Sequence, residues 1–272
     1  MKIGRERKGD RDELRKNRVL LEALSTKGYN ITALSVDIDP PSDSNPIHYI
    51  HLEGAYEALY KNQKKFDFLE MGAPKGLLGA VTGLSIIEDY YTTLSKATLE
   101  SEGFRKLWEY PDDFKFDLIL FDYTILPTLL GFVHKFNYPP VIGLSAFAMP
   151  PCTREVNGSP NFPSIVPFFS SKFSEDMNFL ERSFNTLLYY TERFYRRKAL
   201  KNSQMMAEKV YGLDFPFIEN LEETIDLVLV NSHTSMEVPS PKLPGVVHVG
   251  GMQIKEPQPV PEDGRSMLKQ SY

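Results

Sequence analysis

One cysteine, Cys152, in 272 residues rules out an internal disulfide and leaves the redox compartment open. An excess of positive charge is lacking too. The 31 Lys and Arg against 36 Asp and Glu give a net charge of −5, the wrong sign for a surface that displaces counterions from nucleic-acid phosphates. No GxGxxG turn or other phosphate-cradling glycine loop occurs, which removes the usual dinucleotide and nucleotide sites. The longest uncharged run, Phe136 to Thr153, carries four prolines and falls short of the roughly 20 residues a spanning helix needs. The N-terminal segment has no apolar stretch followed by a small-residue cleavage site, so no signal peptide is expected.

What is present is enough apolar material, 42% of residues, for a sizeable core. Met1 to Arg18 holds eight basic and four acidic side chains and reads as a solvated helix start behind a charged tail. Leu14, Val19, Leu20, Leu21, Ala23 and Leu24 then predict a helix from about Asp10, with Gly28 at its C-terminal cap. Strands are expected at Asn30 to Val36 and Ile47 to Leu52 around a Pro/Ser/Asp loop, and mostly helix from Gly54 to Leu107 with a Gly/Pro break at Met71 to Gly79. Strand Phe116 to Phe121, helix Pro127 to Phe136 and strand Val141 to Ser145 follow; Ile225 to Val230 and Val246 to Val249 are short buried strands. This alternation predicts an α/β fold, a parallel sheet flanked by helices. Pro150 to Ser171 reads as a long ordered loop, and Met177, Leu180, Phe184, Leu187, Phe194 and Tyr195 as the stripe of an amphipathic helix reaching about Tyr211.

Four groups of residues could carry chemistry. His48 and His51 share a strand, but three residues apart they point to opposite faces and no third ligand is evident, so no metal site is expected. Asp37 and Asp39 end a strand where a ribose-binding acid could sit, yet they lie beside Pro40 and Pro41, which makes a turn sufficient explanation. Asn30 and Asn157 open glycosylation sequons, a pattern common by chance. Asp122 differs because it ends the apolar run FDLILFD, where an open parallel sheet places its ligands. A carboxylate there can hold an imidazole in one tautomer and stabilise its charged form; the alternative is a cap on the following helix.

Several stretches carry a resemblance to a known family: LLEALSTKGYNITALS (Leu20 to Ser35), YIHLEGAYEALY (Tyr49 to Tyr60), FDLILFD with GFVHKFNYPPVIGLSAF (Phe116 to Phe147), and DLVLVNSHTSMEVPSPKLPGVVHVGGMQI (Asp226 to Ile254). Their order resembles the N-terminal half of a UDP-glycosyltransferase of the animal, especially insect, type. That resemblance implies a Rossmann-like domain of the GT-B arrangement, holding the acceptor, with a UDP-sugar held mainly by a second domain. It implies inverting hexosyl transfer to a hydroxyl of a small lipophilic acceptor, with a histidine as base and Asp122 as the acid that orients it.

Two departures qualify what the resemblance implies. Counting back from Gly28 to the place of the family's histidine reaches Glu13, and the charged Met1 to Asp12 stands where the first strand of the sheet belongs. At the other end the chain stops at Tyr272, inside what resembles the interdomain linker, with no counterpart of the UDP-sugar signature or the membrane anchor. The expected organisation is therefore an atypical charged segment (1–17), an acceptor-binding domain (18–254) with its first strand missing, and a truncated linker (255–272). Phe147, Met149, Phe162, Phe168 and Phe169 are the expected acceptor-binding residues, and no cofactor is expected beyond the UDP-sugar as donor substrate. The expectation is an acceptor-binding half that is inactive alone; the alternative is a non-catalytic lipophile carrier or a partner that pairs with full-length transferases. Intact animal relatives are endoplasmic-reticulum membrane proteins, whereas this chain is expected to stay cytosolic.

Overall fold

The computed structural model describes residues 10–38, 46–60, 77–123, 127–146, 148–149, 151–241, 243–252 and 254. Helix α1 (Asp10–Thr26) runs without a break across residue 17 and is closed by Gly28 at φ 89°. There the Tyr29 N–H reaches back to the Leu24 carbonyl and the Gly28 N–H to Ser25, the paired bonds of a glycine-ended helix. Strands β1 (Thr32–Ser35) and β2 (His48–His51) pair in parallel with Thr32 opposite His48. Helices α2 (Ala55–Tyr60), α3 (Leu77–Glu100) and α4 (Glu102–Trp108) follow. The sequence interruption at Met71 to Gly79 falls partly outside the described residues, and α3 begins at Leu77.

β3 (Ile119–Asp122), a 3₁₀ turn with α5 (Gly131–Lys135), β4 (Val141–Ser145), α6 (Pro151–Val156), α7 (Phe179–Tyr211), α8 (Ile218–Glu222), β5 (Ile225–Val230) and β6 (Val246–His248) complete the order. All pairings are parallel, as the alternation of strands and helices predicts. The strands nevertheless form two sheets, ordered β2-β1 and β3-β4-β5-β6, where a single one was expected. Among the described residues nothing pairs with the second edge of β1 or of β3. All four residues of β1 are half-buried, whereas four of the five in β4 are buried.

One aromatic and aliphatic cluster belongs to both sheets. Ile50 and Leu52, with Leu34 and Val36 beside them, pack with Phe104 and Leu107 of α4, Phe132 of α5, and Phe116 and Phe136 around the second sheet. A second cluster, with Val141, Ile225, Val228, Leu130, Val133, Ile218 and Leu221, fills the space between the four-stranded sheet and its helices.

Two expectations about the second half need correcting. Pro150 to Ser171 is not all loop: it contains α6, which starts on Pro151, a residue suited to a helix's first position because the N–H it lacks would have no partner there. And the apolar stripe of α7 divides: Met177 is buried and Tyr195 packs against the core, but the members between them face outward. Leu180, Phe184, Leu187 and Phe194 are exposed, while Asn185, Leu188, Glu192, Leu200, Ser203 and Ala207 are buried. The polar members can occupy that inner face because partners meet them; Asn185, for example, spends its whole amide on the backbone of residues 163–168.

Candidate functional site

Parallel pairing brings the carboxyl ends of β3 to β6 into one row: Asp122 lies opposite Leu144, Ser145 opposite Val230, and Val230 opposite His248. Residues that leave these ends share an edge of the sheet, and the candidate chemistry sits there.

Asp122 is half-buried, and its Oδ2 accepts a hydrogen bond from the Nδ2 of Asn17 on α1. Glu13 lies one helical turn before Asn17 on the same face, and its side chain is outside the described residues. A residue that α1 brings to the carboxylate is therefore an amide that the sequence did not single out. Asparagine in a charged helix start carries no periodic signal, and only the fold reveals its role.

Tyr123 follows at once. Its ring fills the space beside Gly143, where a side chain on β4 would collide with it, and its hydroxyl donates to Asn157 Oδ1 at 3.3 Å. Asn157 in turn donates to the Ile225 carbonyl at 2.8 Å, so this sequon asparagine is a half-buried brace between α6 and β5. Burial, with the Glu222 carboxylate adding to it, pushes the Tyr123 hydroxyl well above the ordinary tyrosine range and keeps it a neutral donor.

Further along the edge lies a cavity of about 40 Å³. Met149, Ala148, Val230 and Val246 give it an apolar side; Arg154, Ser159, Glu237 and His248 give it a polar one. His248 Nδ1 is 3.0 Å from Ser232 Oγ and 3.8 Å from Glu237 Oε1, and Arg154 donates to the Pro241 carbonyl at 3.1 Å. The Ser159 hydroxyl is buried with no hydrogen-bond partner among the described residues.

The expected acceptor-binding residues part company. Met149 lines the cavity, and Phe162 is half-buried in the loop after α6. Phe168 is 1% exposed, packed with Ala80, Leu84 and Leu188, and so belongs to the core; Phe169, at 52%, faces solvent. Phe147 lies outside the described residues, as does Asp39. His48 and His51 are both exposed, and the His51 ring sits 3.1 Å from the Val36 carbonyl. Among the described residues no group of three or more His, Cys, Asp or Glu gathers as metal ligands, and no helix is long and apolar enough to cross a membrane.

A parallel α/β unit with a carboxylate at the end of β3, facing the helix that precedes β1, defines a broad class of ligand-binding domain. The chain belongs to the UDP-glucoronosyl and UDP-glucosyl transferase family, whose pattern matches residues 16–271. It is similar to UDP-glucosyltransferase 2 of Dactylopius coccus, 27% identical over 251 residues that cover 89% of this chain and 45% of the relative. Human UDP-glucuronosyltransferase 2B15 is 25% identical over 265 residues, 93% of this chain and 49% of that enzyme. The rat 2-hydroxyacylsphingosine 1-beta-galactosyltransferase is 27% identical over 259 residues, covering 90% and 44%. The chain thus spans about half the length of these relatives. No solved structure matches it.

Proposed function

We propose that the chain is the acceptor-binding half of a UDP-glycosyltransferase, a Rossmann-like domain over 18–254, and that it does not transfer sugar by itself. In the intact reaction a base takes the proton of the acceptor hydroxyl, the oxygen attacks the anomeric carbon from the face opposite the phosphate, and UDP leaves with inversion. Asp122 would hold and charge-stabilise that base. What carries the reading is the half-buried carboxylate at the carboxyl end of β3, turned toward α1. The acceptor would be a small lipophilic alcohol or phenol, held by the residues around Phe147, Met149 and Phe162.

Inactivity is supported by the group that α1 hydrogen-bonds to Asp122 at residue 17. The Asn17 amide has no basic lone pair and cannot take a hydroxyl proton. The same contact favours a second reading, a non-catalytic lipophile-binding partner of full-length transferases. The test incubates the purified chain with UDP-glucose, UDP-galactose and UDP-glucuronate and a panel of phenols, and titrates a fluorescent phenol in parallel. Saturable binding without glycoside formation is expected; turnover overturns the claim of inactivity, and absent binding overturns the acceptor assignment. Co-purification with a full-length relative, with a fall in that relative's rate, selects the second reading.

A further inference from the structure

The outward face of α7 is apolar along its first half and basic along its second. At 3.6 residues per turn Leu180, Phe184, Leu187, Tyr190 and Phe194 fall on one side, and all are 44% to 65% exposed. The same stripe continues into Arg197 and Lys201, both exposed, while Arg182 lies on the loop side of the helix with its guanidinium on the Met177 and Ser164 carbonyls. Neither Arg197 nor Lys201 has a carboxylate partner among the described residues.

Acids are turned away from this face. Glu192 is buried on the core side, and Glu181 folds back onto the Asn178 N–H at the helix start. Arg193 and Lys198 are answered by Glu155 and Glu88. From Leu180 to Lys201 the face therefore carries exposed aromatic and aliphatic side chains and surplus positive charge, in a chain whose net charge is −5.

Apolar residues on one face with uncompensated Lys and Arg beside them are what a helix needs to lie in the plane of an anionic bilayer surface. A second copy fits less well, because neither face supplies an acid to meet the cations of the other. We propose that α7 docks this face on a membrane surface bearing anionic phospholipid, its aromatic residues among the headgroups and Arg197 and Lys201 over the phosphates. This docking is independent of any sugar transfer.

Flotation of the whole chain with vesicles of phosphatidylcholine, alone or mixed with phosphatidylserine, tests it. Binding to mixed vesicles is expected to be at least about tenfold tighter than to neutral ones and to weaken in high salt, since each cation near an anionic surface contributes about fivefold. Arg197→Gln with Lys201→Gln is expected to lower binding to the mixed vesicles by about 10- to 30-fold. Phe184→Ser with Phe194→Ser is expected to lower it comparably while leaving the thermal melt in place, because both rings are exposed. Equal binding to the two vesicle types, no binding, or indifference to the charge variant overturns the proposal. So does a lipid-free dimer that the Phe184→Ser, Phe194→Ser variant dissociates, which would assign the face to a second copy.

Discussion

Asn17 of α1 and Asp122 at the end of β3 are joined by a side-chain hydrogen bond across 105 positions of sequence. This contact tests the site without needing a donor sugar. An imidazole placed at residue 17 would meet a carboxylate, and an opposite charge within a few ångströms favours the protonated ring. In Asn17→His the new histidine is expected to titrate about one pKa unit above the unperturbed value of about 6.5, by NMR. Adding Asp122→Asn should return it to the ordinary range; an unshifted histidine in the single variant would show that the two positions do not address each other.

Asn185 is fully buried, and its amide is completely used: Oδ1 accepts from the Phe168 N–H at 2.7 Å, and Nδ2 donates to the Pro163 and Val166 carbonyls at 2.7 and 2.8 Å. Asn185→Ala leaves the Phe168 N–H and the Pro163 carbonyl without their side-chain partner, at about 1–3 kcal/mol for each that stays buried, while the Val166 carbonyl keeps the Tyr189 hydroxyl at 3.2 Å. A lower melting temperature is expected, with faster amide exchange over residues 163–171 than elsewhere. Uniform exchange would mean that the loop is held by other contacts.

Glu53 caps α4 by accepting from the Glu102 N–H at 2.6 Å and the Gly103 N–H at 3.3 Å. Desolvation raises its pKa, but the N–H groups of Glu53 itself, Glu102 and Gly103 together outweigh that and hold the carboxyl below the ordinary glutamate range. A folded pKa below the unfolded one gives stability that is present above the unfolded value of about 4.3 and lost as pH falls through the folded value. Glu53→Gln should therefore melt earlier than the parent at pH 7, and the gap should close in acid. A pH-independent gap would assign the loss to packing.

Gly103 lets α4 lie directly on the end of β2, where a methyl group would collide with the His51 carbonyl. Since the obstacle is backbone, relief requires the helix to move off the strand. Gly103→Ala is expected to cost about 1–3 kcal/mol in chemical denaturation, whereas the same change at the open Gly83, also in a helix, should be neutral or stabilising. Similar losses at both positions would contradict the close approach.

Much of this architecture was legible in the residues because local chemistry and tertiary structure agree there. Gly28 ends its helix as the apolar periodicity requires, Val141–Ser145 and Ile225–Val230 are strands at the expected bounds, and Asp122 sits at the carboxyl end of a parallel strand. The failures share a physical cause: a linear pattern does not say what lies opposite it. The α7 stripe marks an amphipathic helix but not which way its face turns, and Leu188, Leu200 and Ala207, together with the hydrogen-bonded Asn185, take the core side instead. Phe168 and Phe169 are chemically alike, and only one reaches the core. Asn17 became visible as part of the site only once the fold had brought α1 against β3.

The gap between the two sheets has a practical corollary for handling the protein. β1 and β3 each present a rank of amide and carbonyl groups with no strand across from them among the described residues, and such borders recruit any extended peptide within reach, including the same border of a neighbouring molecule. Shelf life in the tube would then be governed by how crowded the solution is more than by how warm it is, and a short, uncharged β-branched peptide added as a plug should lengthen it.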